Sequence, residues 1–149
     1  MKIIPYIVYM ESEQYKKLYL CKRIVQAKLF IDLHYAEEID LEEIACTAYF
    51  SKFHFFRLFK KAYGKTPHHY LTQVRIDNAL RLLAKDVPVA EVSFRVGFVS
   101  STSFSALFKK HYGVSPSDYR ARQLKQQACF ESNPLHAVPN CFAETHGWK

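Results

Sequence analysis

The chain has 149 residues, 49% of them apolar, 15% aromatic and 23% charged, enough for one domain with a buried core or for two very small ones. Four glycines and six prolines are too few turn formers for a β-sandwich or a collagen-like chain, and no apolar run approaches the ~20 residues of a membrane span. The net charge of +7 is concentrated: residues 1–43 carry six basic and eight acidic side chains, residues 44–125 fourteen and four, and residues 126–149 one and two. A central basic stretch of that kind favours a polyanionic partner, with a merely solvated basic surface as the alternative.

Residues 1–13 read as an N-terminal arm. Its run Ile3 to Met10 contains Pro5 and leads into Glu11-Ser12-Glu13 without a small-residue cleavage pattern, a poor match to a secretory signal, so a cytoplasmic protein is expected. From Tyr15 to Tyr35 nothing interrupts a helix, and Leu18, Cys21, Val25, Leu29 and Ile31 fall on or near one stripe suited to packing on the next helices of the chain. Asp40-x-x-Glu43 is a capping-box variant that starts a short helix near Leu41, with Ile44, Ala45 and Ala48 as its apolar face. Ser51 then stands where it can cap the next helix, Gly64 fits the left-handed position that ends it, and Thr66-Pro67 restarts a helix at once. Residues 14–70 thus form a helix-turn-helix unit with a preceding helix.

Residues 71–85 contain no Gly or Pro and carry Leu71, Val74, Ala79, Leu82 and Leu83, so they read as one continuous linker helix. The stretch 86–123 repeats the first unit. Phe55 to Tyr70 aligns with Phe104 to Tyr119 at an offset of 49, with nine of sixteen positions identical. Before Ser51 and Ser100 the second copy has one extra residue, and Gly113 with Ser115-Pro116 reproduces the helix stop and restart. Residues 124–149 hold Pro134, Pro139 and Gly147 without a clear period, which predicts loop or partial disorder. The expected fold is all-α, about seven helices, as two helix-turn-helix subdomains joined by a linker helix.

In the helix opened by Ser51, a rotation of about 100° per residue puts Phe55, Leu58, Phe59 and Ala62 on the core side. The other side presents Phe53, Phe56, Arg57 and Lys60, with Lys52 at its edge. Arginine can bridge guanine O6 and N7, aromatic rings can meet thymine methyls, and Lys52, Lys60 and Lys61 can reach phosphates. The equivalent face of the second copy is Thr102, Ser105, Ala106 and Lys109, with Ser101 at its edge and Lys110 beside it. That face has no arginine. For Phe53 and Phe56 the alternative is packing against another part of the chain or a partner subunit.

Gly97-Phe98, Phe104, Phe108-Lys109, Gly113, Pro116 and Tyr119-Arg120 resemble the signature of the AraC/XylS family of transcriptional regulators. Leu41-x-x-Ile44-Ala45, Ser51, Phe59-Lys60, Gly64, Pro67, Tyr70, Arg75, Ala79 and Leu82-Leu83 resemble the first half of the same DNA-binding domain. The resemblance covers about residues 24–122 and implies two recognition helices, each entering a major groove of double-stranded DNA. By position, it implies base-facing roles for Phe53, Phe56 and Arg57 in the first unit and Ser101, Thr102 and Ala106 in the second. It further implies RNA polymerase or other transcription machinery as a partner, with no membrane. Ala106 departs from the long polar or basic side chain common in the family, and only about 23 residues precede the match, so the chain resembles a small stand-alone member or a fragment of a larger regulator.

The sequence offers no cofactor or metal motif. His68-His69 point to different sides of a helix, His34, His54 and His111 are scattered, and Cys129, His136, Cys141 and His146 fit no common zinc spacing. No phosphate loop, dinucleotide fingerprint or nucleophile elbow occurs, so an enzyme is not expected. A DNA-repair methyl acceptor built on this kind of domain would need clustered cysteines, whereas Cys21 and Cys46 read as reduced, helix-buried thiols. The other rival is a nonspecific nucleoid-type binder that coats DNA without reading it.

Overall fold

The computed structural model describes residues 4–132, with side chains from Glu13 onward. Among these residues every element is a helix: α1 (Ile4–His34), α2 (Leu41–Thr47), α3 (Lys52–Tyr63), α4 (Pro67–Leu83), α5 (Val89–Arg95), α6 (Ser101–Tyr112) and α7 (Pro116–Ser132). The chain divides into two compact units, Met1–Ile76 and Asp77–Lys149, with the boundary inside α4.

Local chemistry accounts for most helix ends. Asp40 Oδ1 accepts from the Glu43 N–H at 2.7 Å while Glu43 Oε2 accepts from the Asp40 N–H at 3.0 Å, so the expected capping box opens α2. Thr66 Oγ1 accepts from His69 N–H and Ser115 Oγ from Asp118 N–H, at 3.2 and 3.1 Å, just before Pro67 and Pro116. Gly64 and Gly113 end α3 and α6 at φ of +69° and +73°. Ser51 occupies the cap position of α3, yet its side chain makes no cap hydrogen bond, unlike Ser100, which accepts from Ser103 N–H at 3.2 Å.

Three expected boundaries differ. Residues 4–13 are not a separate arm but the start of α1, where Pro5 is tolerated because first-turn N–H groups have no partner within the helix. The restart at Pro67 and the linker are one helix, which begins four residues earlier than 71 and ends at Leu83. Helix α7 passes through Leu124 to Ser132, where a loop was expected: Pro116 is its only Pro, it holds no Gly, and Gln126, Gln127 and Ala128 extend it on propensity without an apolar stripe. The rest of that tail, including His136, Cys141 and His146, lies outside the described residues.

The two turns leading into α3 and α6 share their hydrogen bonding. Phe50 N–H donates to the Ala45 carbonyl at 3.1 Å, and Phe98 N–H to the Ser93 carbonyl at 2.9 Å. Tyr49 and Gly97 therefore occupy the same place, and both are left-handed, at φ of 53° and 86°. The extra residue of the second copy is Val99, 88% exposed, between Phe98 and Ser100.

In the first unit Ile24, Ala27, Ile31, Ile44, Ala45, Ala48, Phe55, Phe59 and Leu71 form the core. Phe59 meets the rings of Phe55, Tyr63 and Tyr70 with centroids 5.4, 4.7 and 5.6 Å away; Phe108 meets Phe104, Tyr112 and Tyr119 at 5.7, 5.2 and 5.7 Å. The same aromatic quartet is built twice. The phase expected for α1 is corrected except at Ile31: Ile24, Ala27 and Ile31 are buried, whereas Leu18, Cys21, Val25 and Leu29 face outward. Apolar residues lie on both sides of that helix, so periodicity alone selected the wrong one. Ala62 is also exposed, at the edge of a cleft of about 430 Å³ between α1 and α3 that includes Lys17, Cys21, Leu58 and Lys61. Cys21, Cys46 and Cys129 are free and exposed, so Cys21 and Cys46 are not buried thiols; on α2 the buried residues are Ile44 and Ala45 instead.

Candidate nucleic-acid interface

Helix α3 is anchored by Phe55 and Phe59, each fully buried, and that fixes which side faces solvent. Full burial of one such ring contributes about 1.5–3 kcal/mol, enough for two of them to hold the phase of a three-turn helix. On the outward side Phe53 is 82% exposed and Phe56 36% exposed. Arg57, Lys60, Lys61 and Lys52 are exposed beside them. Phe53 and Phe56 therefore do not pack into the core of their own unit. Helix α6 is anchored in the same way by Phe104 and Phe108. Thr102, Ala106, Lys109 and Lys110 are exposed, while Ser101 and Ser105 are half-buried.

Four of the cations are held by other groups of the chain. Arg75 donates to backbone carbonyls of Tyr35 and Glu37, Arg120 pairs with Asp86 at 2.6 Å, Arg95 pairs with Glu91, and Lys28 pairs with Asp32 at 2.6 Å. These hold structure. Lys52, Arg57, Lys60, Lys61, Lys109 and Lys110 make no ion pair among the described residues, and all six lie on α3 or α6. A cation with no acidic partner has no ion pair to break on meeting a phosphate, and it releases condensed counterions from the duplex.

An exposed aromatic next to α3 escaped the sequence reading. Tyr49, in the turn before α3, is 77% exposed. The repeat held a signal for it, because the second unit has glycine at the corresponding left-handed position. Among the described residues no group of three or more His, Cys, Asp or Glu is placed to hold a metal ion, and no helix is long and apolar enough to cross a membrane.

Two helix-turn-helix units, each presenting the outward face of its second helix, define a double helix-turn-helix protein of the DNA-binding class. The model of a helix-turn-helix domain family matches residues 44–122. The probable transcriptional regulator LumQ of Photobacterium leiognathi is 36% identical over 92 residues, 61% of this chain and 37% of that protein. The transcriptional activator RhaS of Klebsiella pneumoniae is 37% identical over 99 residues, 66% of this chain and 36% of RhaS. Among solved structures, the DNA-binding domain of the global transcriptional factor AdpA, in complex with a target DNA, superposes with a TM-score of 0.64 at 32% identity, covering 74% of this chain and 96% of that one. The C-terminal domain of AraT, a response regulator from Geobacillus stearothermophilus, gives 0.64 at 32% identity over 67% of this chain and 84% of that domain. The chain belongs to the AraC/XylS family of DNA-binding transcriptional regulators, a family of regulators rather than of enzymes. It spans between about a quarter and half of the length of the curated relatives it matches.

Proposed function

We propose that this chain binds a specific double-stranded DNA sequence and thereby controls transcription, with α3 and α6 entering two successive major-groove segments. The observation that carries this reading is the outward face of α3, where Phe53 and Phe56 stand exposed beside four basic residues without an acidic partner, Lys52, Arg57, Lys60 and Lys61, with Lys109 and Lys110 likewise unpaired in the last turn of α6. In the first unit Arg57 reads guanine while Phe53 and Phe56 meet thymine methyls. In the second, Ser101, Thr102 and Ala106 supply short contacts. Lys52, Lys60, Lys61, Lys109 and Lys110 hold phosphates. The two segments lie about one helical turn apart, roughly 34 Å, so one chain covers a site that need not be palindromic. RNA polymerase or other transcription machinery is the partner such a regulator would engage in the cytoplasm.

The test is selection of bound duplexes from a random pool, followed by affinity measurement against salt and against random competitor. With ~6 to 10 phosphates engaged, affinity falls ~10³- to 10⁵-fold between 50 and 200 mM salt. A flat salt dependence overturns duplex binding. Equal competition by random DNA overturns sequence reading in favour of a nonspecific binder.

A further inference from the structure

Next to the reading helix stands a cluster that the α3 face does not include. The Arg23 guanidinium on α1 lies 4.4 Å from the ring centroid of Tyr19, 5.2 Å from that of Tyr49 and 5.5 Å from that of Phe50. Tyr49 and Phe50 form the turn before α3, and Phe50 in turn meets His54 of the first turn of α3 edge-on, with centroids 5.2 Å apart. Arg23 therefore sits beside the N-terminal end of α3. Tyr19 is exposed as well, and no carboxylate pairs with Arg23 among the described residues.

Tyr49 supplies a second, independent observation. A bulky side chain in the left-handed region is strained, and the matching position of the second unit relieves that strain with Gly97. Tyr49 gains little burial in exchange, since most of its side chain remains in solvent. Its contact with Arg23 is what the strained residue provides. Rings at these distances attract a guanidinium and hold it in place, half-buried as Arg23 is, and guanidinium N–H groups are the ones that grip phosphate oxygens.

Resting on the proposed duplex-binding function, we infer that Arg23, clamped by Tyr19, Tyr49 and Phe50, is a further DNA-binding residue, a phosphate contact that extends the interface of the first unit from α3 onto α1. Its ligand is a backbone phosphate flanking the major-groove segment that α3 enters. It positions the unit on the duplex and carries no base preference of its own.

The experiment uses the full chain and a duplex selected by the wild type. Arg23→Gln, Arg23→Lys and Tyr49→Gly are compared for the slope of log affinity against log salt and for phosphate ethylation interference, with melting curves showing that each variant is folded. Arg23→Gln should lower the slope by about 0.9, the release from one phosphate, and erase one interference signal. Arg23→Lys should keep the slope. Tyr49→Gly, which retains the charge and relaxes the turn, should keep the slope but weaken the interference signal at that phosphate. An unchanged slope and interference pattern in Arg23→Gln overturns the inference and leaves Arg23 a structural residue. If instead the wild type shows no salt-dependent duplex binding, it is the parent function that fails.

Discussion

Arg75 closes the end of a helix forty residues away: its Nε donates to the Tyr35 carbonyl at 2.7 Å and its Nη2 to the Glu37 carbonyl at 2.8 Å. Helix α1 ends at His34, so these acceptors belong to the turn that leaves it, where a cation is also favoured by the helix dipole. Burial lowers the Arg75 pKa somewhat from its ordinary value, and two charge-assisted bonds offset that desolvation.

Arg75→Ala removes both donors and leaves two carbonyls without them, at a cost of about 2–3 kcal/mol in urea unfolding. Arg75→Lys keeps the charge but lacks the fork, so it should fall between alanine and wild type. A loss below about 0.5 kcal/mol in Arg75→Ala, the range of ordinary surface substitutions, would show that the contact contributes nothing.

Gly64 and Gly113 isolate backbone strain from packing, because a Cβ built at either meets nothing within 4 Å. Alanine at either position should cost about 1–2 kcal/mol from the left-handed conformation alone. Asparagine should cost less. Thermal melts of the four variants check this, and a larger loss for asparagine than for alanine would contradict it.

Stability should fall at alkaline pH. Tyr70 donates its hydroxyl to Asp32 Oδ1 at 2.8 Å, and Asp32 Oδ2 accepts from Lys28 at 2.6 Å. The Asp32 carboxylate holds Lys28 well above the usual lysine range, and burial raises Tyr63, Tyr70 and Tyr112 above their usual 10.0. Groups raised in the folded state contribute stability below their unfolded pKa and lose it as pH rises through the folded one. Unfolding midpoints should therefore hold between about pH 7 and 9 and decline above about pH 10. Tyr70→Phe should be less stable at neutral pH and show a shallower alkaline decline; an identical decline would mean that Tyr70 does not contribute to it.

The features written in local chemistry were legible in the sequence: the Asp40 and Glu43 capping box, the left-handed Gly64 and Gly113, the prolines that open α4 and α7, and the core rings Phe55, Phe59, Phe104 and Phe108. These signals act within a few residues, and the repeat states most of them twice. The solvent side of α3 came directly from them, since burying Phe55 and Phe59 leaves Phe53 and Arg57 outside. The phase of α1 was not legible, because Leu18, Val25 and Leu29 form as good an apolar row as Ile24, Ala27 and Ile31, and only packing against α2 and α3 decides between them. Helix α7 beyond Leu124 lacks an apolar stripe, so periodicity is silent about it. Nothing intrinsic to tyrosine favours the left-handed turn at Tyr49, so its one signal is the alignment with Gly97, which the extra residue Val99 shifts out of the main register of the repeat.

Readout should be lopsided between the units. Arg57 offers a bidentate fork for guanine, a contact that discriminates by ~1 to 3 kcal/mol, whereas Ser101 is half-buried and Ala106 has only a methyl. Arg57→Ala should relax preference in one half of the selected site, and Lys109→Ala should weaken all sequences alike. A single-base substitution scan with wild type and both variants checks it. Equal penalties in the two halves for the wild type, or unchanged preference on losing Arg57, would reassign the reading helix.

The exposed thiols equip the molecule with its own attachment points for spectroscopic labels. Cys46 lies on α2 in the first unit and Cys129 on α7 in the second, outside the faces of α3 and α6. With Cys21 and Cys141 changed to serine, a pair of dyes or spin labels on the remaining two would measure the separation of the units in the free chain and again on duplex DNA. The same exposure leaves the chain open to cross-linking in air, so such work would be done under a reductant until the moment of labelling.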